Sequence, residues 1–70
     1  MTTYVIRQIE SHSAGRVVWA EPQETSDKRL AHRLAKAYSK RNGGNFADVL
    51  TVRDGVMHGL SVEYCGGERM

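Results

Sequence analysis

Thr25-Ser26-Asp27-Lys28-Arg29-Leu30-Ala31-His32-Arg33-Leu34-Ala35-Lys36-Ala37-Tyr38-Ser39-Lys40-Arg41-Asn42-Gly43-Gly44 is the stretch that decides the fold. Its first three residues carry side-chain oxygens able to cap the amides that an opening helical turn leaves unpaired. Leu30, Leu34 and Tyr38 then recur at helical spacing. Ala31, Ala35 and Ala37 widen that stripe with the residue that favours helix most. Glu24 and Asp27 stand at the start and Lys36, Lys40 and Arg41 at the end, which suits the helix dipole. Asn42-Gly43-Gly44 supplies a stop, since glycine takes the left-handed position beyond a last turn without strain. The pattern predicts a helix from about Ser26 to Arg41.

On the N-terminal side of the helix, Thr3 to Ile9 is rich in β-branched and aromatic residues and predicts a strand. The polar run from Glu10 to Gly15 predicts a turn, and Arg16 to Ala20 a second strand that Pro22 ends, because proline has no amide for a ladder. Both strands carry apolar residues on both sides, so their inward faces stay open, although Trp19 is a natural core anchor. Beyond the glycines, Phe46 to Val52 and Val56 to Tyr64 predict a second hairpin around Arg53-Asp54-Gly55. A three-residue loop with Gly55 at the bulge gathers Leu50, Val52, Val56, His58, Leu60 and Val62 on one face. A two-residue loop would set Arg53 on the same face as Val56, so the longer loop is expected.

The expected architecture is one α+β domain over residues 1–70, with element order ββαββ. A four-stranded antiparallel sheet would carry the helix on one face, with Leu30, Leu34 and Tyr38 against Leu50, Val52, Leu60 and Val62. The tail from Gly66 to Met70 is expected to fray.

Composition narrows the classes of function. A chain of 70 residues buries only about 60% of the surface it exposes unfolded, which leaves little material to enclose an active site. With 40% hydrophobic residues and a net charge of +2, it does not meet the condition for disorder. Cys65 is the sole cysteine, so no internal disulfide can form, and a reducing cytoplasm is the expected location. Met1-Thr2-Thr3-Tyr4 shows no basic lead-in or apolar run, so no signal peptide is expected, and no stretch has the ~20 apolar residues of a membrane span.

No catalytic or metal constellation is legible. His12, His32, His58 and Cys65 lack the close pairing of a structural zinc site. Cys65 beside Gly66-Gly67 would need a base and an oxyanion hole to act as a nucleophile. The acids are scattered, Asp54 has a turn role, and the glycine pairs lack the setting of a phosphate loop. The expectation is a non-enzymatic protein without cofactor.

What stands out is charge. Six of the ten Lys and Arg residues lie between Lys28 and Arg41, with no acid among them. At 100° per residue, Arg29, Arg33, Lys36 and Lys40 share a ridge away from the leucine stripe. Such a row can face phosphates or an acidic protein surface, and it can equally be a solvated face that keeps the helix soluble. The aromatics show no basic-aromatic signature of the common RNA-binding sheet.

Tyr4-Val5-Ile6-Arg7-Gln8-Ile9, a hairpin, the Ala31-His32-Arg33-Leu34-Ala35-Lys36 helix and a final hairpin together resemble the small phage-encoded anti-CRISPR proteins. The likeness is to the type I inhibitors built as a curved sheet wrapped on one helix, and it covers most of the chain in element order and length. It implies a protein that docks on the host's RNA-guided surveillance complex and blocks target DNA recognition, sterically and electrostatically. In that reading Arg29, Arg33, Lys36 and Lys40 contact acidic protein or DNA phosphate. The rival expectations are a small basic DNA- or RNA-binding module and a self-associating structural domain; monomer and homodimer both remain open.

Overall fold

The computed structural model describes residues 1–13, 15–41 and 45–70, with backbone alone for residues 11–13. Among them are β1 (Thr2–Ser13), β2 (Arg16–Trp19), β3 (Gln23–Thr25), α1 (Lys28–Tyr38), β4 (Phe46–Arg53), β5 (Val56–Met57), β6 (Val62–Cys65) and β7 (Glu68–Arg69). The strands form one antiparallel sheet in the order β2-β1-β4-β6-β7, with β3 also on β1 and β5 also on β4. The class is α+β with one helix on an antiparallel sheet. The four-stranded ββαββ expectation is corrected to seven strands, through two breaks and one added hairpin.

The first break follows Trp19. β2 pairs with the far half of β1 and β3 with Tyr4, Val5 and Ile6, while Ala20, Glu21 and Pro22 lie between them. The Ala20 N–H still reaches Gln8 O at 2.9 Å, so the chain stays against β1 up to the proline. A proline belongs at such an edge interruption, where its missing amide leaves no ladder bond unmade. β1 also continues through the expected turn as far as Ser13, with its register shifting between Ile9 and Ser11.

The second break divides the last hairpin. β5 pairs with Val52 and Arg53, and β6 with Phe46 to Val49. The His58 N–H still reaches Thr51 O at 2.8 Å, but Gly59 to Ser61 leave the ladder, Gly59 takes a positive φ of 70°, and Leu60 is 93% exposed. Arg53 sits directly opposite Val56, so Asp54-Gly55 (φ 51° and 81°) is a two-residue turn with both residues left-handed. The three-residue loop is thereby corrected. Arg53 and Val56 are both exposed at the hairpin tip, where burial cannot choose the register and the turn chemistry of Asp-Gly does.

Gly66-Gly67 makes a second turn of this kind, at φ 59° and 85°, and returns the chain as β7 against β6. The expected frayed tail is thus a paired strand, held further by Met70 N–H to Glu63 O at 2.9 Å and Gly67 N–H to Ser39 Oγ at 2.8 Å.

The helix begins where Asp27 caps it, its carboxylate accepting the Leu30 N–H at 3.1 Å. It ends at Tyr38, short of the expected Arg41, because buried Ser39 turns its hydroxyl back to Lys36 O at 2.8 Å and accepts from Gly67. The expected stop at residues 42–44 lies outside the described residues.

Ile6, Ala31, Ala35, Tyr38, Ala47, Val49 and Tyr64 form the buried cluster, with Tyr4, Leu34 and Val62 packed on it. Of the four expected sheet partners of the helix, Val62 alone lies here. Leu50 and Val52 alternate with Val49 onto the other face, and Leu60 falls in the break. The helix is also rotated from the expected stripe: Ala31 and Ala35 point in and Leu30 lies at the margin, 37% exposed. Three alanines at the contact let helix and sheet backbones approach closely.

Candidate binding surface on the helix

Burial of Ala31, Ala35 and Tyr38 fixes which way α1 faces, and with it where the bases go. Arg29, Arg33 and Lys36 lie on the opposite side, all exposed. No carboxylate of the helix stands beside them, and no ion pair among the described residues involves them. Lys40 belongs to the surface less directly. The helix has ended before it, the Lys40 N–H bonds Ala37 O at 3.2 Å in a tighter turn, and its methylene stem lies over Gly67. The structure therefore brings Arg29, Arg33 and Lys36 into one exposed row and sets Lys40 at the end of it, against the β6–β7 turn. Arg41 turns aside, its guanidinium 4.6 Å from the Tyr38 ring centre, while the Tyr38 hydroxyl donates to Gln23 Oε1 at 2.8 Å.

The uncovered face of the sheet has a different chemistry. Arg7, Asp48 and Glu63 are cross-strand neighbours there, between Val5–Leu50 on one side and Phe46–Cys65 on the other. Arg7 donates from Nε to Asp48 Oδ1 at 2.9 Å and from Nη2 to Oδ2 at 2.5 Å. Asp48 is 2% exposed, so its charge is out of water and needs that fork. The bond to Asp48 raises the Arg7 pKa against the opposing effect of burial. Trp19 covers the guanidinium at 5.1 Å and meets Phe46 edge to face at 5.9 Å. It is 45% exposed, a lid on the ion pair, which corrects its expected place in the core. Arg7 and Asp48 were not singled out from the sequence. Their signal was a base and an acid each set in the middle of an otherwise apolar strand.

The remaining candidates stay apart. Cys65 is exposed at the end of β6, and His58 is exposed in the break of the last hairpin. The side chain of His12 lies outside the described residues. Among the described residues no cluster of three His, Cys, Asp or Glu is placed to hold a metal, and no helix is long and apolar enough to cross a membrane. Two clefts of about 270 and 240 Å³ open on the surface, one beside β7 and one beside Ile9 and Asn45.

No protein-family model, no curated protein and no solved structure matches the chain.

Proposed function

We propose that the protein is a non-enzymatic, phage-type inhibitor that acts by binding, docking its basic helix on an RNA-guided type I surveillance complex and blocking target DNA recognition. The observation that supports this reading is the exposed row of Arg29, Arg33 and Lys36, continued by Lys40, on the side of α1 that the core does not use. A rigid helix holding bases one turn apart presents a line of positive charge to a polyanion, with no reorganisation needed on contact. Occupying such a surface on the complex would exclude target DNA without turnover.

The test is a competition on the purified complex. The protein should prevent loading of labelled target DNA, and a variant with Arg29, Arg33, Lys36 and Lys40 changed to Glu should not. Absence of binding to any type I complex, together with unimpaired interference in cells that express the protein, would sink the proposal.

Direct nucleic-acid binding is the second reading, favoured by the absence of any acid between Lys28 and Arg41. Salt separates the two. If four bases neutralise duplex phosphates, anisotropy with labelled DNA should weaken with a log-log salt slope of about −3.6. No binding of bare DNA or RNA at low salt would leave a protein surface as the target.

A further inference from the structure

His32 and Tyr64 meet where α1 crosses β6. His32 Nδ1 lies 2.8 Å from the Tyr64 hydroxyl, and the rings stand edge to face with centres 5.9 Å apart. Lys28 precedes His32 by four residues and so shares its flank of the helix. Arg69 is the cross-strand partner of Tyr64, so it leaves the sheet on the helix side. Together the two place a lysine and an arginine around one imidazole. Their charges act on it: burial first, then Lys28, then Arg69 push the His32 pKa below its ordinary value.

The acids of these elements lie elsewhere. Asp27 is occupied in capping α1, and Glu63 and Glu68 alternate onto the uncovered face of the sheet with Asp48 and Cys65. One helical turn beyond His32, Lys36 adds a further positive charge on the same side. Three elements thus gather positive charge and hydrogen-bond donors, and the side-chain carboxylates they carry are at the helix cap or on the other face of the sheet. In the tautomer in which Tyr64 donates to Nδ1, His32 Nε2 carries the hydrogen and is a donor; protonation of the ring keeps that donor and adds a charge. Arg69 offers a planar fork, the geometry that suits an oxyanion.

We propose that Lys28, His32 and Arg69, with Tyr64 holding the His32 ring in place, form a binding site for a phosphate-type oxyanion, either free or as a diester of a nucleic acid strand. The site adjoins the ridge of Arg29, Arg33 and Lys36 but does not depend on it, and it stands whether or not a surveillance complex is the target. Binding strengthens as pH falls through the titration of His32, because the ring then contributes a full charge.

Histidine ring resonances followed by NMR test this directly, with sodium sulfate as the probe because its charge is constant across the pH range used. Sodium chloride holds ionic strength fixed. The His32 ring should shift saturably, and bound sulfate should raise its pKa by about one unit. The exposed His58 is the internal control and should not respond. Arg69→Gln and Lys28→Gln alter exposed residues, so the fold should persist, and each should weaken sulfate binding by about tenfold. Inorganic phosphate and a short single-stranded oligonucleotide are then compared. A response to phosphate at concentrations like those of sulfate identifies a free anion as sufficient. A far tighter response to the oligonucleotide, surviving in an Arg29→Gln/Arg33→Gln variant, identifies the diester. Failure of that variant to bind a surveillance complex, with the His32 response intact, would separate the site from the proposed inhibitor function. No saturable response of His32 to any of the three probes, or one unchanged in both single variants, overturns the site.

Discussion

Beneath the helix the sheet presents Ile6, Ala47, Val49 and Tyr64, all buried and met by Ala31, Ala35 and Tyr38. On the other face the same strands carry Val5, Arg7, Asp48, Leu50 and Glu63, with no element of the described chain over them. The covered face is apolar and close-packed, with Ala31, Ala35 and Ala47 set among Ile6, Tyr38, Val49 and Tyr64. The uncovered face carries a forked ion pair under the Trp19 ring. The difference lies in what each face can tolerate. A covered face fails when volume changes, whereas the uncovered face fails when a charge loses its partner.

The strongest test of this contrast is Arg7→Ala. Asp48 is almost wholly buried, and removing Arg7 (Arg7→Ala) leaves its carboxylate without a counter-charge. The expected loss is about 3 kcal/mol in urea denaturation, toward the low end for a buried pair because Arg7 is 40% exposed. Asp48→Ala should cost less, since the guanidinium it strands can turn to water. The double change Arg7→Leu/Asp48→Leu should recover most of the stability, because an apolar pair of similar volume carries no desolvation cost. Near-equal stability of Arg7→Ala and the wild type would mean that the pair is solvated and that the two faces do not differ in this way.

Volume is the complementary probe. Ala35→Leu forces three extra carbons between helix and sheet and should cost about 1–3 kcal/mol. The same enlargement at Ala37, exposed on the helix, should change stability by no more than about 0.5 kcal/mol. Denaturation midpoints of the two variants measured side by side decide it. Equal small effects would show that the contact under α1 is loose, against the zero exposure of Ala31, Ala35 and Ala47.

That same contrast explains what was legible in the sequence. The helix was legible because its signals are local: capping side chains at Thr25, Ser26 and Asp27, and Leu30, Leu34 and Tyr38 at helical spacing, although its end falls at Tyr38 and not Arg41. Arg29, Arg33 and Lys36 fell where the helical period put them. Lys40 did not, because the helix stops at Tyr38 for a long-range reason, the bond from Gly67 to Ser39. The faces of the strands were not legible, since Val5 and Ile6, or Val49 and Leu50, are neighbours of similar hydropathy that point to opposite sides. Gly59 within a strand pattern and Gly66-Gly67 after one are turn signals, but a glycine pair near the last residues reads equally as a flexible tail. With β7 missed, the grouping of Arg69 with His32 could not be seen, since it exists only once the last hairpin closes.

The smallest effect separates the faces by pH. Arg7 stays charged throughout the neutral range, so the fork on the uncovered face gives no titration of the arginine there. His32, on the helix side, has a folded pKa below its unfolded value of about 6.5, so the folded protein binds fewer protons than the unfolded chain near that pH. Its contribution to stability is therefore present above about pH 6.5 and is lost as pH falls through the folded pKa. Thermal melts of the wild type and His32→Gln between pH 5 and 8 should converge toward acid and separate toward neutral, with the wild type gaining on the variant as pH rises. Because the ring is only partly buried, the gain should be smaller than either effect above. Added sulfate should shrink this slope in the wild type alone, since an anion seated beside the ring favours the protonated form that folding otherwise disfavours. A slope that is the same in both proteins would place the pH dependence on other groups and leave His32 a spectator.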